Sequence, residues 1–218
     1  MASSPKEALA KAGLPSVRIG GAAYRHYVSG GLSRMTDDMD LAITLPRGVD
    51  LRLRRIAVNR TMLDLKFHAG GGDGDDFAFY WRDGGLIHQV DIFLDGIWDF
   101  DHKPEGTGLK LFVDDERGRF ISREGLLISK LISARPLDCS DVAGLLLGGI
   151  FDRDALLRKI QAQVSRPDYG RRHMARTLRT LEAMFAEGGT YRGPNRLLDA
   201  RRKDIYLRAV ALRTALEG

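Results

Sequence analysis

In Arg34-Met35-Thr36-Asp37-Asp38-Met39-Asp40-Leu41-Ala42-Ile43, Asp38 and Asp40 alternate with Met39 and Leu41. In an extended strand successive side chains point to opposite faces. Asp38 and Asp40 then project from one face while Met39, Leu41 and Ile43 enter a core. Two like charges so placed repel unless a cation lies between them, and hard carboxylate oxygens suit Mg²⁺. The competing reading makes Thr36-Asp37-Asp38 a polar turn before a strand.

A third carboxylate lies farther on. Phe77–Arg82 reads as a strand, Asp83-Gly84-Gly85 as a hairpin turn, and Leu86–Leu94 as a second strand with Asp91 between Val90 and Ile92. An ionised carboxylate in an apolar strand is costly unless it is paired, hydrogen-bonded or metal-bound. If this strand lies beside the first, Asp91 completes a three-carboxylate cluster. The alternative is a half-exposed Asp on an edge strand.

Upstream, Pro5–Gly13 reads as a short helix. Val17–Ile19 is a short strand ending in Gly20-Gly21, and Ala22–Tyr27 is helical. Strand, glycine pair and helix form a phosphate-site layout, with unpaired N–H groups at the helix start; ordinary turn chemistry is the competing reading. Leu51–Leu65 reads as a surface helix with a following strand, Ala69–Asp76 as a loop, and Leu109–Val113 as a strand.

The remainder is helical. Ser122 caps a helix through Leu126, Lys130 and Ile132 that Arg135-Pro136 ends, and Asp138-Cys139-Ser140-Asp141 leads into Val142–Leu147. Asp152 caps a third helix, Met174, Leu178, Leu181 and Phe185 define a fourth, and Asn195 opens a last one. The expected fold is α/β in the α+β sense: a mixed β-sheet flanked by helices over residues 1–118, then a helical bundle over 119–218.

Of the 218 residues, 44% are hydrophobic, enough for one sizeable core with an appended unit. No apolar run reaches the ~18 residues of a membrane span, and the polar N-terminus has no signal-peptide core, so a cytoplasmic protein without membrane contact is expected. A single cysteine, Cys139, and scattered histidines argue against a disulfide or zinc site. Residues 153–218 carry 15 Lys and Arg against 7 Asp and Glu, a net +8, which leaves −3 on residues 1–152 out of the total of +5. Arg171, Arg172, Arg176, Arg179, Arg201 and Arg202 therefore form a candidate RNA-binding face, with solvated helix faces as the alternative.

In order along the chain, Ile19-Gly20-Gly21-Ala22, His26, Arg34-x-Thr36-x-Asp38-x-Asp40-Leu41 and Val90-Asp91-Ile92 resemble the motifs of the polymerase-beta-type nucleotidyltransferase superfamily. Lys130-Leu-Ile-Ser-Ala-Arg135-x-x-Asp138-x-x-Asp141 resembles a segment of its AbiEii/MenT-like branch, several members of which are toxins of toxin–antitoxin pairs. Many members carry Gly-Ser where this chain has Gly20-Gly21, so backbone N–H groups must serve the phosphates.

The resemblance implies a nucleotidyltransferase fold and transfer of a nucleoside monophosphate from ATP or another NTP, with release of pyrophosphate. It implies that Asp38, Asp40 and Asp91 hold two Mg²⁺ ions, with Mn²⁺ able to substitute. Gly20, Gly21, Arg34, Thr36 and Lys130 would bind the nucleotide, with Lys130 as catalytic counter-charge and Asp141 as an orienting group; for Asp138 and Asp141, helix capping stands beside catalysis. The acceptor is left open among RNA (the tRNA 3′ end foremost), a small molecule and a protein hydroxyl, and an inactive nucleotide-binding scaffold is the reading outside enzymes. A cognate antitoxin protein is the further partner implied.

Overall fold

The computed structural model describes residues 4–32, 38–44, 47–70, 76–83, 86–94, 96–98, 108–113, 116, 118–191 and 195–218. Among these, the helices are α1 (Pro5–Lys11), α2 (Gly20–Tyr27), α3 (Leu51–Asp64), α4 (Arg123–Ser133), α5 (Pro136–Leu147), α6 (Arg153–Gln163), α7 (Pro167–Phe185), α8 (Arg196–Ala200) and α9 (Arg202–Glu217). The strands are β1 (Ser16–Arg18), β2 (Met39–Ile43), β3 (His68–Ala69), β4 (Asp76–Asp83), β5 (Leu86–Phe93), β6 (Ile97–Trp98) and β7 (Lys110–Leu111). The fold is mixed α/β with a helical C-terminal region. No helix among the described residues is long and apolar enough to cross a membrane.

Two compact units interleave along the chain, where the sequence suggests a single cut after residue 118. The first comprises Met1–Ala23, Met35–Ile97 and Phe112–Ser122; the second comprises Tyr24–Arg34, Trp98–Leu111 and Arg123–Gly218. Phe112–Ser122 belongs with the strands because Phe120 bridges to Arg18: Arg18 N donates to Arg119 O at 3.0 Å and Ile121 N to Arg18 O at 2.9 Å. Tyr24 belongs with the helices because its hydroxyl donates to Leu32 O at 3.0 Å and its ring lies against Gly144 of α5.

The first unit is a five-stranded sheet ordered β1-β2-β5-β4-β3. β1 pairs antiparallel with β2, β2 parallel with β5, and β5 antiparallel with β4. A parallel pair needs a long crossover, and α3 lies within the one linking β2 to β5. The register places Asp83 opposite Leu86, a two-residue hairpin connection; its Gly84 and Gly85 lie outside the described residues. One sheet face builds the core: Leu41, Ile43, Phe79, Val90, Ile92 and Leu94 pack with Leu9, Leu14, Val58 and Met62. Local sequence fixes the helices that cover it. Ser4 and Glu7 form a reciprocal capping box on α1, and Asp50 accepts from Arg52 N at 2.8 Å to start α3.

The second unit is built on α4, which is buried from Gly125 to Ser133. A helix covered on every side must satisfy its terminal carbonyls from its neighbours. Thr177 Oγ1 donates to Leu131 O at 3.1 Å, and His173 Nε2 lies 3.0 Å from Ile132 O. Arginines do the same for other helices. Arg123 Nη2 and Arg208 Nη1 each reach a carbonyl of the last turn of α5, those of Leu145 and Leu146, at 2.6 Å.

Two boundaries depart from the sequence reading. Pro136 was expected only to end a helix, yet it also starts α5, whose first turn has no use for the N–H that proline lacks. The last helix is two: Asn195 caps α8, and Arg201, at φ −111° and ψ 21°, breaks the chain before α9. Ser122 binds the Glu116 carboxylate through both its N–H and its hydroxyl at 3.1 Å.

Gly144 marks the tightest approach in the helical unit. A Cβ there would stand 2.0 Å from the buried Tyr24 hydroxyl. Gly144→Ala is expected to lower stability by about 1–3 kcal/mol through overpacking. Urea unfolding should show part of that loss recovered in the double variant Gly144→Ala/Tyr24→Phe, which removes the nearest atom.

Candidate active site

The parallel pairing of β2 and β5 is in a register that sets Met39 against Val90, Asp40 against Asp91, Leu41 against Ile92 and Ala42 against Phe93. Register partners on adjacent strands point to the same face and lie about 4.8 Å apart at the backbone. Met39, Leu41, Val90 and Ile92 therefore share the core face, and Asp40 and Asp91 share the opposite one. On the other side of Asp91 the register partner is Ala78 of β4, which adds no bulk beyond a methyl group.

Asp38 precedes β2 and is exposed, while Asp40 and Asp91 are half-buried. The Asp91 carboxyl is held above its ordinary value. Burial is the main cause, the nearby Asp38 charge adds to it, and Gln89 acts against it. Gln89 Nε2 donates to both Asp91 oxygens, at 2.9 and 3.0 Å. The sequence reading missed Gln89, although its position two residues before Asp91 puts it on the same strand face.

Gly20 closes on the same place from β1. Ile19 N donates to Asp40 O at 3.0 Å, and Gly20 then turns into α2 with φ +56°. A Cβ on Gly20 would lie 1.9 Å from Asp40 Oδ2 and 2.7 Å from its Cγ, so only glycine brings the backbone this close to the carboxylate. Gly21 lies in the first turn of α2. Arg34 and Thr36 fall outside the described residues.

The donor chemistry of Asp38, Asp40 and Asp91 fits a hard divalent cation, for it is carboxylate oxygen throughout, and the Asp38 charge adds to the raising of Asp91. Among the described residues, no group of three or more His, Cys, Asp or Glu side chains stands assembled as a metal cluster. Two aspartates are thus brought into register, and the third lies at the start of the strand.

Lys130, Asp138 and Asp141 belong to the helical unit and are all buried. Lys130 Nζ lies 2.6 Å from Asp138 Oδ1 and 2.8 Å from Asp141 Oδ2. Ser133 Oγ donates to Asp138 Oδ2 at 2.7 Å, Arg135 Nε to the same oxygen at 2.6 Å, and Arg135 N to it at 3.3 Å. The last contact satisfies an orphan N–H at the start of α5, so Asp138 caps from inside the helix. Burial would raise its carboxyl, but Arg135, Lys130 and Ser133 together hold it at about 2.

The candidate RNA-binding arginines are largely paired within the chain. Arg171 meets Asp168 at 3.0 Å, Arg201 meets Asp204 at 2.6 Å, and Arg179 meets Glu217. Arg202 pairs with Asp199 at 2.8 Å and donates to Met184 O and Gly189 O, both at 2.9 Å, closing the end of α7. Arg172 and Arg176 are exposed on α7.

In comparisons with known proteins, no family model matches the chain. No curated protein matches it either.

The Asp138 knot yields a stability prediction with a defined sign. A carboxyl depressed in the folded state contributes stability that is present in full above its ordinary 3.8 and is lost as pH falls through about 2. Asp138→Asn should therefore cost about 2–3 kcal/mol at pH 7, the equivalent of that shift, since Lys130 keeps Asp141 at 2.8 Å and Arg135 is half exposed. Urea midpoints measured from pH 7 to 2 should show the wild type converging on the variant in the acid range.

Proposed function

We propose that this chain is a divalent-metal-dependent nucleotidyltransferase that moves a nucleoside monophosphate from an NTP to an acceptor hydroxyl, with RNA as the preferred acceptor. The observation that carries the reading is the register of Asp40 against Asp91 on one face of two parallel strands, beside a glycine whose backbone abuts the Asp40 carboxylate. The resemblance of the ordered motifs to the polymerase-beta-type superfamily supports it. The AbiEii/MenT likeness extends it to the toxin of a toxin–antitoxin pair.

In this proposal Asp38, Asp40 and Asp91 hold the metal, which when bound neutralises phosphate charge and acidifies the acceptor hydroxyl. Asp91, lifted above the ordinary carboxylate range, takes the hydroxyl proton. The hydroxyl oxygen bonds to the α-phosphorus as the bond to the β-phosphate oxygen breaks, and pyrophosphate leaves. Gly20 and Gly21 let the triphosphate approach the backbone at the start of α2. Lys130, Asp138 and Asp141 are assigned to holding α4 against α5, since the ammonium already has two carboxylates within 2.8 Å.

For the acceptor, the +8 on residues 153–218 favours RNA. The ion pairs of Arg171, Arg179 and Arg201 are exposed, and pairs of that kind are worth only ~0–1 kcal/mol, so phosphate can displace them. The same pairing favours a second reading, a small-molecule hydroxyl, to which a self-neutralised helical surface is no hindrance.

Incubation with each labelled NTP, Mg²⁺ and total RNA separates the two. RNA labelling that weakens steeply with salt is expected, and labelling only of an added small hydroxyl compound would reject the RNA acceptor. Asp40→Asn and Asp91→Asn should each lower transfer by about 100-fold or more.

The Asp91 variant carries a second signature. Because its carboxyl is raised in the folded state, ionisation destabilises the fold. That penalty is absent below 3.8, grows as pH rises past it and is complete above the folded-state value. Asp91→Asn should therefore unfold at a higher urea concentration than wild type at pH 7 while losing activity. Loss of both together would make Asp91 a structural residue.

A further inference from the structure

The sheet face that carries Asp40 and Asp91 continues past them onto β4. The register sets Ala78 beside Asp91 and Tyr80 beside Gln89, so these four side chains stand on one face. All four are half-buried and Ile87 on the same face is exposed, whereas Phe79, Val90 and Ile92 on the opposite face are buried. Gly70 follows β3 and donates its N–H to Ala78 O at 2.8 Å. It also gives the Tyr80 ring its place, since a Cβ there would lie 2.1 Å from Tyr80 Cε2. The ring leans toward β3, and the Ala78 methyl group forms the floor between it and the Asp91 carboxylate.

Gln89 adds a second feature to this face. A carboxylate only accepts hydrogen bonds, so the amide turns Nε2 to Asp91 and Oε1 points elsewhere. Among the described residues no donor meets that oxygen. An unengaged carbonyl acceptor beside two carboxylates suits a ligand hydroxyl and repels a phosphate.

We infer that this face seats the 3′-terminal nucleoside of an RNA acceptor, with its base on the Tyr80 ring and its 2′-hydroxyl donating to Gln89 Oε1 while its 3′-hydroxyl meets Asp91. The inference rests on the proposed nucleotidyl transfer: the 3′-oxygen bonds to the α-phosphorus, its proton passes to Asp91, and pyrophosphate leaves. Attacking and leaving oxygens lie roughly in line on the phosphorus. The strand order β1-β2-β5-β4 puts Gly20, which receives the departing phosphates, and β4 on opposite sides of the Asp40 and Asp91 pair. The donor's own nucleoside leaves the phosphorus off that line, so the ground beyond Asp91 belongs to the acceptor. Diagonal neighbours such as Asp91 and Tyr80 stand about 7–8 Å apart, the reach from a sugar hydroxyl to the base of one nucleoside. Unstacked RNA bases rest on aromatic side chains, and the 2′-hydroxyl is what tells RNA from DNA.

The test is steady-state transfer by the full chain, with Mg²⁺ and whichever labelled NTP it uses, to an RNA oligonucleotide and to the same oligonucleotide ending in a 2′-deoxy residue. The wild type should favour the ribose end by about 5-fold or more in kcat/KM, the worth of one hydrogen bond. Gln89→Met should slow transfer to both ends, because Asp91 loses its orientation, and should bring their ratio close to one. Tyr80→Ala should raise the KM for RNA about 10-fold without raising that for NTP, and Tyr80→Phe should restore most of the loss. Circular dichroism verifies that the variants fold, and the comparison of the two ends by the wild type needs no variant.

Equal use of the two ends by the wild type, or a ribose preference that survives in Gln89→Met, overturns the inference while the reaction stands. So does a rise in the KM for NTP in place of that for RNA in Tyr80→Ala, or a loss in Tyr80→Phe equal to that in Tyr80→Ala. Labelling of a small hydroxyl compound alone rejects the RNA acceptor, no transfer to any acceptor rejects the reaction, and either takes the inference with it.

Discussion

Two carboxylates held in register on the same face of a parallel strand pair form an arrangement that folding alone does not favour. Asp40 and Asp91 are register partners, and burial, with the Asp38 charge adding to it, holds Asp91 above the ordinary carboxylate range. The rest of the first unit accommodates that pair. β2 and β5 are locked by the core they share on their other face, through Leu41, Ile43, Val90 and Ile92. A slip of one residue would exchange the two faces and place the carboxylates among Val58, Met62 and Phe79. The apolar residues that flank Asp40 and Asp91 therefore fix the register that brings the acids together.

The helical unit treats the same side chain in the opposite way. Asp138 is completely buried, yet its carboxyl falls to about 2, while half-buried Asp91 rises. Burial is the largest single influence on both and pushes both upward. The difference lies in the partners: Asp138 is met by an ammonium, a guanidinium and a hydroxyl, whereas the groups that act on Asp91 are an amide and a second carboxylate. The chain supplies Asp138 with positive charge and leaves Asp91 to amide hydrogen bonds.

The sequence made the strands and many caps readable because those signals are local. Alternation from Asp38 to Ile43 gave β2, the isolated acid between Val90 and Ile92 marked β5 as unusual, and Asp152 and Asn195 cap the helices they precede. What lies across the fold left no such signal. Nothing local to Arg202, read as a candidate RNA-binding arginine, points to the carbonyls of Met184 and Gly189 beside it, and nothing local to Lys130, read as a counter-charge for the nucleotide, points to the burial of α4 around it. Pro136 was ambiguous in a different sense, since a proline that cannot continue one helix is suited to begin the next. The interleaved units were not legible, because contacts between residues far apart in the chain, such as the bridges of Phe120 to Arg18 and of Leu111 to Val164 and the packing of Tyr24 on Gly144, carry no local signal.

Gln89 bears on why residue 91 is an acid. Its amide donates to both oxygens of Asp91, holds the carboxylate in one orientation and outweighs the nearby Asp38 charge, but it leaves the larger cost of burial in place. If packing were the only requirement, an asparagine at 91 would keep a hydrogen bond to Gln89 and relieve the electrostatic penalty. A lysine at 89 would turn the contact into an ion pair. The chain has neither, and Gly20 likewise keeps the space beside Asp40 clear of a side chain that would displace its carboxylate. Gln89 thus orients Asp91 without bringing a charge to it, and a glycine at positive φ lets the backbone of the first turn of α2 abut the Asp40 carboxylate.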